Sequence, residues 1–180
     1  MKYPFLFLLS CITFYSFSQF SQLNVPASGG NFSKIKFAPD NSIWIDFPLD
    51  NYHYGKNHNY YSSSNQTNWN LVNMQTDFEV VDFAPASNNL AYLATNNSGF
   101  DTGIIYKFSS SQNLQQKTFL GGLSYLFPDF MHFYDANNGM IAMEGSPNGI
   151  FYTTTDAGNT WNPLSSGSIP ATSGNGFLSG

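Results

Sequence analysis

The groups in this sequence able to move protons or hold metals are few: eleven carboxylates, three histidines and six cations, every cation a lysine. Hydrolysis of a glycosidic bond needs two carboxyl groups flanking the sugar, one of them supplying a proton. Asp46, Asp50, Glu79, Asp82, Asp135 and Glu144 are the acids open to such work, and spacing singles out no pair among them. Asp135 opens "DANNG", which sets oxygen groups at i, i+2 and i+3 like a calcium loop but has no bidentate glutamate downstream. It reads as an Asn-Gly turn. The stretch "FPLDNYHYGKNHNYY" gathers Tyr52, His53, Tyr54, His58 and Tyr60 into an aromatic, hydrogen-bonding surface suited to a sugar or a peptide. Asp50, His53 and His58 within it lack a fourth ligand for zinc. The sequence thus assigns no catalytic residue, no metal and no cofactor, and offers this insert as the candidate binding loop.

Short strands are the elements available to position these groups. Aromatic residues make up 18% of the chain and charged residues 9%, with Ser, Thr, Asn and Gln supplying most of the remaining polarity. That mixture suits half-buried pleated surfaces joined by polar turns. No stretch of helical period appears after the first twenty residues, and 180 residues suffice for one domain with a sizeable core. A net charge of -5 without any arginine excludes a surface built to neutralise nucleic-acid phosphates.

The N-terminus reads as an export signal over 1–18. Lys2 supplies the positive end, "FLFLLSCITFYSF" the apolar run, and Ser16 and Ser18 the small residues before a cleavage site at Gln19. The run is too short to span a bilayer comfortably. Cys11, the single cysteine, lies inside it, so the exported chain carries no thiol. A minority alternative makes Leu-Leu-Ser-Cys a lipoprotein processing site, with Cys11 lipidated. Both readings place the protein outside the cytoplasm, secreted or at the cell surface.

After a lead-in at 19–30, three segments repeat one order of features. They run "FSKIKFAPDNSIWIDF" then "NYYSSSNQTNWNLV"; "FEVVDFAPASNNLAYLAT" then "GIIYKFSSSQNLQQKTFL"; and "PDFMHFYDANNGMIAMEG" then "GIFYTTTDAGNTWNPL". Phe37, Phe83 and Phe133 are expected to occupy one shared place, 46 and 50 residues apart, and Tyr61, Tyr106 and Tyr152 another, 45 and 46 apart. Each copy reads as four strands; in the third these are Phe130–Tyr134, Met140–Glu144, Gly149–Thr154 and Thr160–Leu164. "APDNS", "APASNN" and "DANNG" supply turn chemistry between first and second strands. Four strands per unit of about 45 residues is the arithmetic of a β-propeller blade, whose sheet hides its aromatics only against its neighbours. The expected fold is all-β: blades at 31–75, 76–122 and 123–167, with the start of a fourth at 168–180.

"TTDAGNTW" adds specificity. Thr154, Asp156, Gly158, Thr160 and Trp161 match every defined position of Ser/Thr-x-Asp-x-Gly-x-Thr-Trp, and the repeat around them resembles the Asp-box (BNR) propellers of the sialidase-like superfamily, including photosystem II assembly factor-like and sortilin-like propellers. The resemblance implies a structural turn between third and fourth strands, with Asp156 accepting backbone N–H groups and Gly158 at positive φ. Ser63, Asn65 and Trp69 form a degenerate copy, one residue short. The resemblance also implies that Asp82, alternating with Val81 and Phe83, faces a central channel. Sialidases clamp a substrate carboxylate with three arginines, which this sequence cannot supply.

The expected function is a secreted or cell-surface binding module for a glycan or protein ligand, with no catalysis in this segment and no membrane span. The alternatives are part of a carbohydrate-active hydrolase that is not a sialidase, and a purely structural scaffold. Three blades fall short of a closed propeller, so further blades of a longer chain are expected. The signal and low charge look like Bacteroidetes-type secreted proteins, which often carry a C-terminal sorting domain; none is visible here.

Overall fold

The computed structural model describes residues 23–26, 32–50, 55–97, 102–111, 114–120, 127–144 and 150–164. The segment read as an export signal, Cys11, most of the lead-in, Tyr52, His53, Tyr54 and the residues expected to start a fourth blade lie outside them.

Twelve strands form three four-stranded antiparallel sheets, each a simple meander, and no helix occurs among the described residues. The first holds β1 (Lys34–Phe37), β2 (Ile43–Pro48), β3 (Asn57–Ser63) and β4 (Asn70–Gln75). The second holds β5 (Glu79–Ser87), β6 (Leu90–Asn96), β7 (Gly103–Ser109) and β8 (Leu114–Leu120). The third holds β9 (Phe127–Phe133), β10 (Gly139–Glu144), β11 (Ile150–Thr154) and β12 (Asn162–Pro163). No helix of these residues is long and apolar enough to cross a membrane.

Alternation along each strand gives every sheet two faces. Trp44, Tyr60, Val72 and Met74 of the first sheet meet Phe83, Leu93, Tyr106 and Phe108 of the second. Ala84, Tyr92, Ala94 and Ile105, on the second sheet's other face, meet Met131, Phe133, Ile141 and Met143 of the third. Aromatic rings fill both seams: Trp44 is edge-on to Phe108 at 5.8 Å, and Tyr92 stacks on Phe133 at 4.2 Å. The middle sheet is thus buried on both sides, each large ring contributing on the order of 1.5–3 kcal/mol.

The tyrosine correspondence holds in the ladders, whereas the phenylalanine one does not. Tyr61 pairs with Ile45, Tyr106 with Leu93 and Tyr152 with Ile141, and these in turn face Ile35, Phe83 and Met131. Phe83 therefore matches Ile35 and Met131. Phe37, opposite Ile43, matches Phe133, opposite Gly139; the matching place in the second sheet belongs to Pro85, opposite Ala91. The reason is the turn. Residues 38–42 and 134–138 close the first and third hairpins, but β5 runs on through "APAS" to Ser87 and reverses over Asn88 and Asn89. Phe37 lies on the face of the first sheet turned away from the second and is 66% exposed.

Candidate functional site

The turn joining β11 to β12 is organised around one carboxylate. Thr160 donates its backbone N–H to Asp156 Oδ1 at 2.9 Å and its hydroxyl to Oδ2 at 2.7 Å, and the Thr154 hydroxyl reaches Oδ1 at 2.8 Å. Gly158 donates its N–H to Thr154 Oγ1 at 2.8 Å. The chain reverses through two left-handed residues, Ala157 at φ 56° and Gly158 at φ 70°. Trp161 lies edge-on to Phe133 at 6.1 Å. Asp156 thereby satisfies donors that a β-ladder cannot satisfy in a reversal.

This clasp also reaches the middle sheet. The Tyr92 hydroxyl donates to Ala157 O at 2.6 Å, and Lys107 Nζ donates to the same oxygen at 2.8 Å and to Asn159 Oδ1 at 3.1 Å. Gln116 Nε2 donates to Asn159 O at 3.2 Å.

The degenerate copy keeps the mechanism with weaker chemistry. The N–H groups of Thr67 and Asn68 donate to Asn65 Oδ1 at 3.0 and 2.8 Å, Gln66 donates its N–H to Ser63 Oγ at 2.9 Å, and Gln66 takes the left-handed place at φ 63°. A neutral amide oxygen stands where the third sheet has a carboxylate.

The bonds to Asp156, led by the Thr160 N–H, hold its pKa at about 2 against an ordinary 3.8. A carboxyl lowered on folding stabilises fully above its ordinary pKa, and that contribution is lost as pH falls through the folded value. Between about pH 4 and about pH 2 the wild-type melting temperature is expected to fall more steeply than that of Asp156→Asn, whose amide does not titrate. Parallel slopes in thermal melts across that window would refute the assignment.

Asp82 lies on β5, an edge strand of the second sheet, where the edge strands β1, β5 and β9 come together. Lys34 Nζ donates to its Oδ1 at 2.8 Å, Lys36 Nζ to Oδ1 at 2.8 Å and Oδ2 at 2.7 Å, and the Met131 N–H to Oδ2 at 2.9 Å. A register shift between Val80 and Asp82 gives β5 a bulge at this point. Lys36 Nζ also sits 5.5 Å from the Phe83 ring centroid and 5.7 Å from that of Phe130, and burial lowers its pKa against the pull of Asp82. One carboxylate ties all three sheets.

The insert residues part company. His58 and Tyr60 were expected on a binding loop, but β3 carries both into the interior, with His58 only 1% exposed and Tyr60 wedged against Phe83 and Phe108. His58 Nδ1 lies 2.7 Å from Asp46 Oδ1 and its Nε2 3.1 Å from Gly55 O, so both ring nitrogens are committed and neither is left for zinc. Asp50 accepts the N–H groups of Lys56 and Asn57 at 2.9 and 3.1 Å, bonds that lower its pKa. Asp135 likewise accepts from Asn137 N and Asn138 N at 2.7 and 2.8 Å, an Asx turn. Among the described residues no group of three or more His, Cys, Asp or Glu side chains is placed to hold a metal.

Two features escaped sequence reasoning. Phe130, His132 and Tyr134 form an exposed row on the third sheet's outer face, with ring centroids 6.1 and 4.9 Å apart; their alternation was a readable signal. Asp129 falls at a register shift beside Pro128, where burial and then the Glu144 charge push its pKa up to about 6. A scan of the chain against protein-family models returns no match, and a search of curated proteins returns none either.

Proposed function

We propose that this chain supplies three blades of an exported Asp-box β-propeller that binds a glycan or protein ligand, without catalysis in these residues. The observation that carries this reading is the fate of the acids. Asp46 is bonded to His58, Asp82 to two lysines, and Asp50 and Asp135 to backbone N–H groups, so four of the six candidate acids are held in structural roles. The stacked meanders and the clasp docked across a seam support the propeller part. Aromatic surface for a ligand is available at Phe130 and Tyr134, with Tyr52 and Tyr54 as the insert's candidates. On glycan and peptide arrays the full chain is expected to bind at least one ligand class, weakened about tenfold by Tyr52→Ala with Tyr54→Ala or by Phe130→Ala with Tyr134→Ala. Silent arrays, or binding untouched by either pair, would refute it.

One observation favours a second reading, a carbohydrate-active hydrolase: Asp129, a carboxyl with pKa raised to about 6, lies near the Glu144 carboxylate. That reading requires activity on a polysaccharide panel that disappears in Asp129→Asn.

A further inference from the structure

His58 sits in β3 with both ring nitrogens against oxygen: Nδ1 lies 2.7 Å from Asp46 Oδ1 and Nε2 3.1 Å from Gly55 O. A backbone carbonyl only accepts hydrogen bonds, and so does an ionised carboxylate. A neutral imidazole has one N–H, so one of its nitrogens would turn a lone pair on an oxygen it faces. Water does not relieve that clash, because His58 and Asp46 are both buried. Satisfying both contacts takes two protons among the three groups. They sit either as two N–H groups on the ring, or as one there and one on the Asp46 carboxyl. Either way the folded pair holds one proton more than a neutral histidine beside a carboxylate.

We propose that Asp46 and His58 form a one-proton lock on the root of the insert, closed while the pair holds that extra proton and opened by its loss. The far end of the lock is Gly55, which precedes β3; its carbonyl also accepts the Val80 N–H at 3.0 Å, so the contact reaches the second sheet. The groups around the ring favour the protonated form. Asp46 comes from β2, and Asp50, between β2 and β3, adds a second negative charge. Tyr60 stacks on the ring at 5.7 Å, and burial raises its pKa well above the ordinary value, so it stays neutral. Lys34, opposite Asp46 on β1, and Lys36 are both spent on Asp82 of β5, and β4 offers only Met74 opposite His58. The inference requires only the first sheet and its contact at Val80, not the ligand-binding reading.

In the unfolded chain a histidine gives up its proton at about pH 6.5. Above that pH the folded chain therefore binds more protons than the unfolded one, and its stability falls as pH rises. Urea denaturation of the full chain between about pH 7 and about pH 8 should show the wild-type folding constant falling up to about tenfold further than that of His58→Gln, whose side chain does not titrate. Parallel pH profiles for the two chains overturn the proposal. Spectra of the wild type decide it should the variant fail to fold. At about pH 7.5, NMR of labelled histidine nitrogens and aspartate carboxyl carbons should show either two N–H groups on His58 or a protonated Asp46. The Gly55 carbonyl carbon should shift as the pair titrates. A neutral ring beside an ionised Asp46 at that pH overturns the proposal, as does a Gly55 carbonyl that stays unmoved while the ring loses its proton.

Discussion

Asp82→Ala is expected to lower the unfolding free energy by about 3 kcal/mol. The change leaves Lys34 and Lys36 without their shared carboxylate and Met131 without the acceptor of its N–H, at a place where three strands meet. Breaking a buried ion pair by removing one partner costs roughly 3–5 kcal/mol, because the surviving charge stays desolvated. The lysine side chains are 39% and 24% exposed, so water recovers part of that penalty and the lower end applies. The loss should be concentrated at Lys36, the more enclosed of the two and the one held between two aromatic rings. Adding Lys36→Met to Asp82→Leu should therefore restore more than half of it, since an apolar pair of similar volume has no charge to solvate. Urea denaturation at an unchanged m-value is the measurement. A loss under about 1 kcal/mol for Asp82→Ala would mean that these three edge strands are held by their apolar seams alone.

What could be read from the sequence divides by the distance over which each interaction closes. The clasp was legible because its parts lie within eight residues: Thr154, Asp156, Gly158 and Thr160 satisfy one another locally, so residue types alone nearly fix the turn. The meander was legible for a related reason, since four short alternating runs with turn chemistry between them leave a sheet few other ways to form. The His58 and Asp46 pair was not. It depends on the register of β2 against β3, which turns a polar-looking insert residue inward, and a register shift of one would have turned it outward. The lysines on Asp82 were further still from view, because they cross between sheets. Phe83 shows how matching letters mislead: "FAP" occurs in the first two repeats, but β5 continues four residues past Phe83 before it turns, whereas β1 stops at Phe37. Side-chain burial follows the ladder, not the motif.

The second large effect is expected at Gly158. Replacement by Ala should lower stability by about 2–4 kcal/mol, from two separable causes. The first is conformational: φ is 70°, where a β-carbon crowds the following carbonyl oxygen and costs about 1–2 kcal/mol. The second is steric, because that β-carbon would stand 2.5 Å from Tyr92 Cε1, on the neighbouring sheet. The ring has little room to move: it stacks on Phe133 at 4.2 Å, and its hydroxyl is tied to Ala157 O at 2.6 Å. A double-mutant cycle separates the causes. In a Tyr92→Ala background the added cost of Gly158→Ala should shrink to the conformational part alone, about 1–2 kcal/mol. Ala157→Gly is the complementary control: at φ 56° it should stabilise by up to about 1 kcal/mol, because the wild-type alanine already bears the left-handed strain. If Gly158→Ala costs the same with and without the Tyr92 ring, the turn is only a local reversal. A cost that falls when the ring is removed means the glycine is required for the clasp of one sheet to seat on the next.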